Sequence, residues 1–225
     1  GYSSLDSKYN MEATKLFLEV LDVQGIKFKY KKKVKDLYFY FNNKLKNYRF
    51  DSVAFAVQYF TEKLLLKWFN NSQKKLNCKK VGFAGGVAQN IKAIKNILDK
   101  SKINHIYVPP GAGDESLSIG AIYAFFASQK NFNKKISDLK NPYVSLSYEN
   151  KDLDFIHKDK SVKVTKVTTK KVAKILSSSY PIARYISKMS EFGPRALGNR
   201  SILADPRNPD IINYVNKKIK IRDFW

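Results

Sequence analysis

Lys188-Met-Ser-Glu-Phe-Gly-Pro-Arg-Ala-Leu-Gly-Asn-Arg-Ser-Ile-Leu-Ala-Asp-Pro-Arg207 holds half of the chain's arginines, Arg195, Arg200 and Arg207. The others are Arg49, Arg184 and Arg222, so lysine supplies nearly all of the 42 basic residues. Arginine presents a planar fork of donors that meets phosphate or carboxylate two bonds at a time, whereas lysine is a point charge. A chain that otherwise uses lysine, yet gathers arginine here, points to an anion held in fixed geometry. Gly193 and Gly198 permit tight turns and close approach to a ligand, and Asn199 and Ser201 add neutral donors and acceptors. Lys188 and Arg184 precede the block and border the same expected anion pocket. The alternative is a turn-rich surface loop with solvated arginines. Asp205 and Arg207 read equally well as an internal ion pair, and we count them as structural.

Two earlier stretches carry chemistry of a different kind. In Phe83-Ala-Gly-Gly-Val-Ala-Gln-Asn90 the Gly85-Gly86 turn lies between an expected strand and an expected helix. Such a turn directs backbone N–H groups and a helix N-terminus at a phosphate or ribose, or it is only a tight connection without ligand. Asp114, in Pro110-Gly-Ala-Gly-Asp-Glu-Ser-Leu-Ser-Ile-Gly-Ala121, sits where a carboxylate would cap or start a helix. The chain's two histidines, His105 and His157, read as structural or solvated.

Taken together and in this order, the three stretches resemble the ATP-dependent O-carbamoyltransferases that decorate antibiotics and nodulation factors. The arginine block looks like the start of that family's C-terminal domain. Similarity before about Asp51 is faint. The resemblance implies the C-terminal half of an actin-like ATPase-type α/β domain, followed by the start of a second α/β domain resembling threonylcarbamoyl-adenylate synthases. It implies domains at 1–130 and 151–225 with a connector at 131–150. It also implies an enzyme using ATP and carbamoyl phosphate to make carbamoyl-adenylate, whose carbamoyl group passes to a hydroxyl-bearing small-molecule acceptor. By the same resemblance, Gly85, Gly86 and Asn90 would bind nucleotide. Arg195, Arg200 and Ser201 would be catalytic, with Asn199 and Lys188 on the substrate. Asp114 would ligate a divalent metal, Fe or Mg. The histidine pair that completes the metal site in the family has no counterpart here, so that site is incomplete in this chain. Half of each unit is missing, and the chain alone is expected to be inactive.

The elements that would position these residues follow from periodicity. Ala13–Leu21 could be a helix, and Asp36–Phe41 is apolar on both faces, leaving strand and helix open. From Asp51 or Ser52 as cap, Val53, Val57, Phe60, Leu64 and Trp68 recur at helical spacing, as for a helix pressed on a sheet. Lys80–Ala84 reads as a buried strand. The next helix, from about Val87 to Leu98, turns Ile91, Ile94 and Leu98 inward. His105–Val108 is a second strand, and a helix follows from Leu117 to about Phe126. Strand, glycine-rich turn and helix occur twice over, which indicates an α/β sheet with ligand loops at its strand ends. Beyond the polar 129–150 stretch, Val162–Val167 and Ile182–Ile186 suit strands, and Lys170–Leu176 and Asp210–Ile219 suit helices.

Composition narrows the function classes. Hydrophobic content of 44% with 14% aromatics is globular. No run of 18 uncharged apolar residues predicts a membrane span, and the N-terminal residues lack the pattern of a signal peptide, so cytoplasmic location is expected. Cys78 is the single cysteine and cannot form an intramolecular disulfide. A net charge of +23 would suit nucleic acid, and a basic nucleic-acid-binding protein related to tRNA threonylcarbamoylation proteins is the alternative function; a scaffold fragment is a third. The lysines are spread end to end, however, with one dense run at Tyr30–Lys35, and no aromatic-interleaved basic motif of a nucleic-acid module is present. We therefore expect attraction for anionic substrates rather than nucleic acid as a partner, and homo-oligomerisation is left open.

Overall fold

The long helix α3, Phe50–Leu76, is the platform of the N-terminal part of the protein. The computed structural model describes residues 8–129, 141–144, 154–161, 163, 165–178, 180–185 and 189–222. The chain divides into two compact units, one up to Gly113 and one from Asp114 onward. It is a mixed α/β protein whose described strands form three two-stranded sheets.

In the first unit, α1 (Lys8–Leu18) leads into an antiparallel hairpin of β1 (Leu21–Gln24) and β2 (Lys27–Tyr30). Gly25, at φ +59°, reverses the chain between them. The ambiguous apolar run becomes a helix, α2 (Leu37–Leu45), because Asp36 caps it by accepting from Phe39 N at 3.0 Å. The hairpin is fastened to α3 through Lys67–Asp22 at 2.8 Å, Trp68 Nε1 donating to Ile26 O at 3.0 Å and Asn71 Nδ2 donating to Gly25 O at 2.7 Å. Phe17 stacks on Phe41 and packs with Ala13 and Ala56, joining α1 and α2 to α3.

Past the left-handed Asn77, which ends α3, come β3 (Lys80–Gly82), a 3-10 turn over Gly86–Gln89, α4 (Ile91–Lys100) and β4 (His105–Tyr107). β3 and β4 pair in parallel, Lys80 opposite His105 and Gly82 opposite Tyr107. The main core lies between α3, α4 and this pair: Leu65, Phe69, Phe83, Ala88, Ala93, Ile97, Ile103 and Ala112, with Trp68, Val81 and Ile94 packed against it.

The expected helix faces need correction here. α4 turns Ala93 and Ile97 inward, while Ile91 is 82% exposed and Leu98 is also exposed. In α3 the expected Leu64 is buried and Phe60 and Trp68 pack against the cores, but Val57 is exposed, and Ser52, Ala56, Leu65 and Phe69 are buried as well. Between the two helices the core is built from Leu65 and Phe69 of α3 and Ala93 and Ile97 of α4, each one residue away from the expected Leu64, Trp68, Ile94 and Leu98. Asp51 is not the cap of α3: Arg49 stands at that position, and Asp51 in the first turn takes both prongs of its guanidinium, at 3.0 and 2.8 Å.

The second unit opens with a 3-10 turn, Asp114–Ser116, and α5 (Leu117–Ser128). It continues with α6 (Asp154–Lys158) and α7 (Thr169–Ser177), the latter capped by Thr168. The antiparallel pair β5 (Ile182–Tyr185) and β6 (Arg200–Leu203) follows, then α8 (Asp210–Tyr214), which runs into a π-helical turn, Val215–Lys220. The strand expected at Val162–Val167 falls partly outside the described residues, and those described there are not in a strand.

Removing a fully enclosed side chain tests this core. Ile97→Ala should lower stability by about 2–5 kcal/mol in denaturant unfolding, the usual cost of truncating a buried isoleucine. The exposed Ile91→Ala should cost much less, the reverse of what apolar periodicity alone implies.

Candidate functional site

The arginine segment folds as a turn hung on a buried acid. Glu191 has a side chain with no exposed surface, and its Oε1 accepts from Leu197 N at 2.7 Å and Asn199 N at 2.6 Å. Its Oε2 lies 3.4 Å from Arg200 Nε. Burial pushes this carboxyl up, but the N–H donors of Asn199 and Leu197 outweigh it and hold Glu191 below the ordinary glutamate range. Gly193 (φ +97°) and Gly198 (φ +113°) occupy left-handed backbone that other residues rarely adopt, which places one glycine on each side of Arg195.

The expected anion-binding residues do come together, but they play different parts. Arg200, at the start of β6, turns its Nη2 onto Gly193 O and, at 3.0 Å, onto Arg195 O. Its fork is engaged by the turn and by Glu191. Ser201 Oγ accepts from Gly198 N at 3.0 Å, and the buried Asn199 donates through Nδ2 to Met189 O at 2.7 Å. Arg207 clasps Asp205 with both prongs, the ion pair read from sequence. Arg195 differs from both: its side chain is exposed, and no hydrogen bond or ion pair joins its guanidinium to another described residue. Arg184 is exposed on β5, opposite Ser201. Lys188 lies outside the described residues.

In the first unit, Gly85 takes φ +102° and donates to Ala112 O at 2.7 Å, which ties the turn to the chain beyond β4. A Cβ added at Gly85 or Gly86 would meet nothing within 4 Å, so the space before the turn is open. Asn90 is occupied structurally. Its Oδ1 caps α4 by accepting from Ala93 N at 3.1 Å, and its amide exchanges two hydrogen bonds with Gln58 of α3, at 3.0 and 3.1 Å. Beside the turn, Phe28, Trp68, Phe83 and Val87 line an apolar cavity of about 310 Å³.

Asp114 heads the 3-10 turn before α5, as its first-turn reading required. Among the described residues, no three His, Cys, Asp or Glu side chains cluster in a way that could hold a metal ion. The donors described here do not amount to a divalent-cation site, and no chemical step is routed through one.

Sequence reading missed Glu191 and Gln58. Glu191 was legible in part, as the acid next to the Phe-Gly-Pro-Arg turn. Gln58 gave no signal, since its partner lies 32 residues away.

Residues 8–123 match the family model described as carbamoyltransferase N-terminus, and residues 173–225 match that described as carbamoyltransferase C-terminus. The first match begins well before Asp51, so the family likeness reaches further toward the N-terminus than the motifs suggested. An uncharacterized protein of Methanocaldococcus jannaschii is 30% identical over 184 residues, covering 78% of this chain and 30% of that protein. One of Synechocystis is 31% identical over 182 residues, covering 77% and 29%. Nodulation protein U of Sinorhizobium fredii is 28% identical over 187 residues, covering 78% and 30%. The chain thus spans roughly 30% of the length of these relatives.

The Asp205–Arg207 clasp sets a pH dependence. Hydrogen bonds from Arg207 lower the Asp205 carboxyl from 3.8 to about 2. A depressed folded-state value means that the contribution is fully present above the ordinary value and is lost as pH falls from about 4 through about 2. A carboxyl NMR titration should place Asp205 in that lowered range, and Arg207→Ala should return it toward 3.8.

Proposed function

The chain belongs to the carbamoyltransferase family, and on that premise we propose that it takes part in ATP-dependent carbamoyl transfer from carbamoyl phosphate, by way of carbamoyl-adenylate, to an acceptor hydroxyl. One observation carries the reading: the guanidinium of Arg195, bonded to no other described residue, is presented from a turn whose backbone is fixed on both sides. A fork held this way meets a phosphate or acyl-phosphate oxygen without first being ordered, and a fixed positive group aimed at developing charge is the largest usual contribution to such reactions. The net charge of +23 adds long-range attraction for phosphorylated substrates.

The reaction balances in three steps. Water cleaves carbamoyl phosphate to carbamate and phosphate. A carbamate oxygen then attacks the α-phosphorus of ATP and expels pyrophosphate. The acceptor oxygen finally attacks the carbamoyl carbon, AMP leaves, and the hydroxyl proton is released. In this scheme Arg195 holds phosphate oxygens, and Arg200 and Ser201 keep the turn in shape around it. The open Gly85–Gly86 turn receives the adenosine moiety of the carbamoyl-adenylate for the last of these steps, with the aromatic-lined cavity beside it suited in size to a planar base. Asn90 serves that site by holding α4 against α3 rather than by touching ligand. We propose a divalent metal only for the whole enzyme, with Asp114 as this chain's one contribution. No helix among the described residues is long and apolar enough to cross a membrane.

Two ligands should separate two sites. Carbamoyl phosphate binding, measured by calorimetry, should weaken about tenfold or more in Arg195→Ala and little in Arg184→Ala, roughly the value of one charged contact. AMP, the nucleotide part of the adenylate, should quench the fluorescence of Trp68 in a Trp225→Phe background, and Gly85→Val should abolish the quenching while leaving carbamoyl phosphate binding intact. If neither ligand binds the wild-type chain, the reading fails. Carbamoyl transfer by these 225 residues alone would overturn the expectation that they are only part of the catalyst.

A further inference from the structure

Glu191 touches no solvent, lies at the base of the arginine turn, and belongs to no expected anion-binding set. Its two oxygens do separable work. Oε1 closes the loop by accepting from Leu197 N and Asn199 N. Oε2 accepts no hydrogen bond among the described residues and instead faces Arg200 Nε at 3.4 Å. Arg200 then reaches back over the turn with Nη2 to Gly193 O and Arg195 O. The contacts run in one direction: carboxylate to guanidinium, guanidinium to the carbonyls that flank Pro194, and those carbonyls to the backbone that carries Arg195.

We propose that Glu191 and Arg200 form a positioning strut, and that the anion is held by Arg195, which the strut aims. The inference rests on the anion-binding reading above and reassigns Arg200 within it. A guanidinium already bonded to two carbonyls and facing a buried carboxylate has few donors left for a ligand, whereas that of Arg195 is bonded to no other described residue. The carboxylate also serves this strut in a way that a neutral acceptor would not. An amide in its place could still accept from Leu197 and Asn199, but it would carry no charge to orient Arg200.

Glu191→Gln distinguishes positioning from plain electrostatics, because the two predict opposite signs. If the acid were merely a negative charge near the pocket, its removal would tighten anion binding by raising the local positive potential. If it orients Arg200 and through it Arg195, binding of carbamoyl phosphate should weaken about tenfold, with the thermal unfolding midpoint close to wild type since the loop stays closed. Glu191→Ala, which also opens the loop, is the control for gross disruption and should show increased proteolysis between Gly193 and Asn199. Arg200→Lys keeps the charge but not the fork, and it should lose affinity to a similar extent as Glu191→Gln. The two changes combined should cost little more than either alone, the mark of residues acting as one unit. Unchanged or tighter binding in Glu191→Gln refutes the strut. Failure of the wild-type chain to bind carbamoyl phosphate refutes instead the reading on which the strut rests.

Discussion

The buried carboxylate of Glu191 is the constraint on which the second unit's arginine turn depends. An ionised acid without solvent contact is tolerated only when donors and opposite charge surround it. The sequence meets that demand locally, with two backbone N–H groups from Leu197 and Asn199 and one guanidinium from Arg200. Meeting it forces the intervening chain into a closed loop, and the loop closes only because Gly193 and Gly198 accept left-handed backbone. The segment is further pinned where Phe192 N donates to Pro142 O at 2.7 Å. Antiparallel pairing of β5 and β6 fixes the far side, with Tyr185 opposite Arg200.

The first unit solves a similar problem chiefly with neutral amides. Its glycine turn stands in open space while the helix behind it is held still. Gln58 and Asn90 exchange amide hydrogen bonds across the α3–α4 interface, and the same Asn90 oxygen caps α4. Gln58 Nε2 also donates to Glu62 at 2.7 Å, and Lys92 sits 3.8 Å from that carboxylate, so a short polar chain runs along the mouth of the helix pair. Polar networks of this kind set geometry more than they add stability, because each group would otherwise be bonded to water. Rigidity near the turn and openness in front of it come from different residues.

How much of this could be read from sequence depended on the range of the interactions. Helix and strand identity was largely visible: α3, α4, α7, β3, β4 and β5 fall within a few residues of where periodicity and turn residues put them. The face that each helix buries was visible in part: Leu64 is buried, and Phe60, Trp68 and Ile94 pack against the cores as expected. In α4, Ala93 and Ile97 are fully inside while Ile91 and Leu98 face out, and an alanine carries little hydrophobic signal. The arginine cluster was legible as a cluster, but the division of labour within it was not. Which fork is engaged is decided by a carboxylate nine residues before Arg200 and by carbonyls within the turn itself. Asn90 shows the same limit: its amide is bonded to Gln58, a partner too far off in sequence to be read from the motif.

This division explains why so basic a chain uses arginine sparingly. Lysines spread over the surface supply attraction without geometry, and their number tells little about where an anion rests. Geometry needs planar forks, and a fork on a flexible side chain aims at nothing until something holds its backbone. Here one arginine clasps Asp205, a second braces the turn, and a third is left exposed on the brace. The contacts thus require arginine at the second position for the shape of the protein, and under the anion-binding proposal the third is required by the shape of the ligand. A motif records both in the same letter, and only the contacts tell them apart.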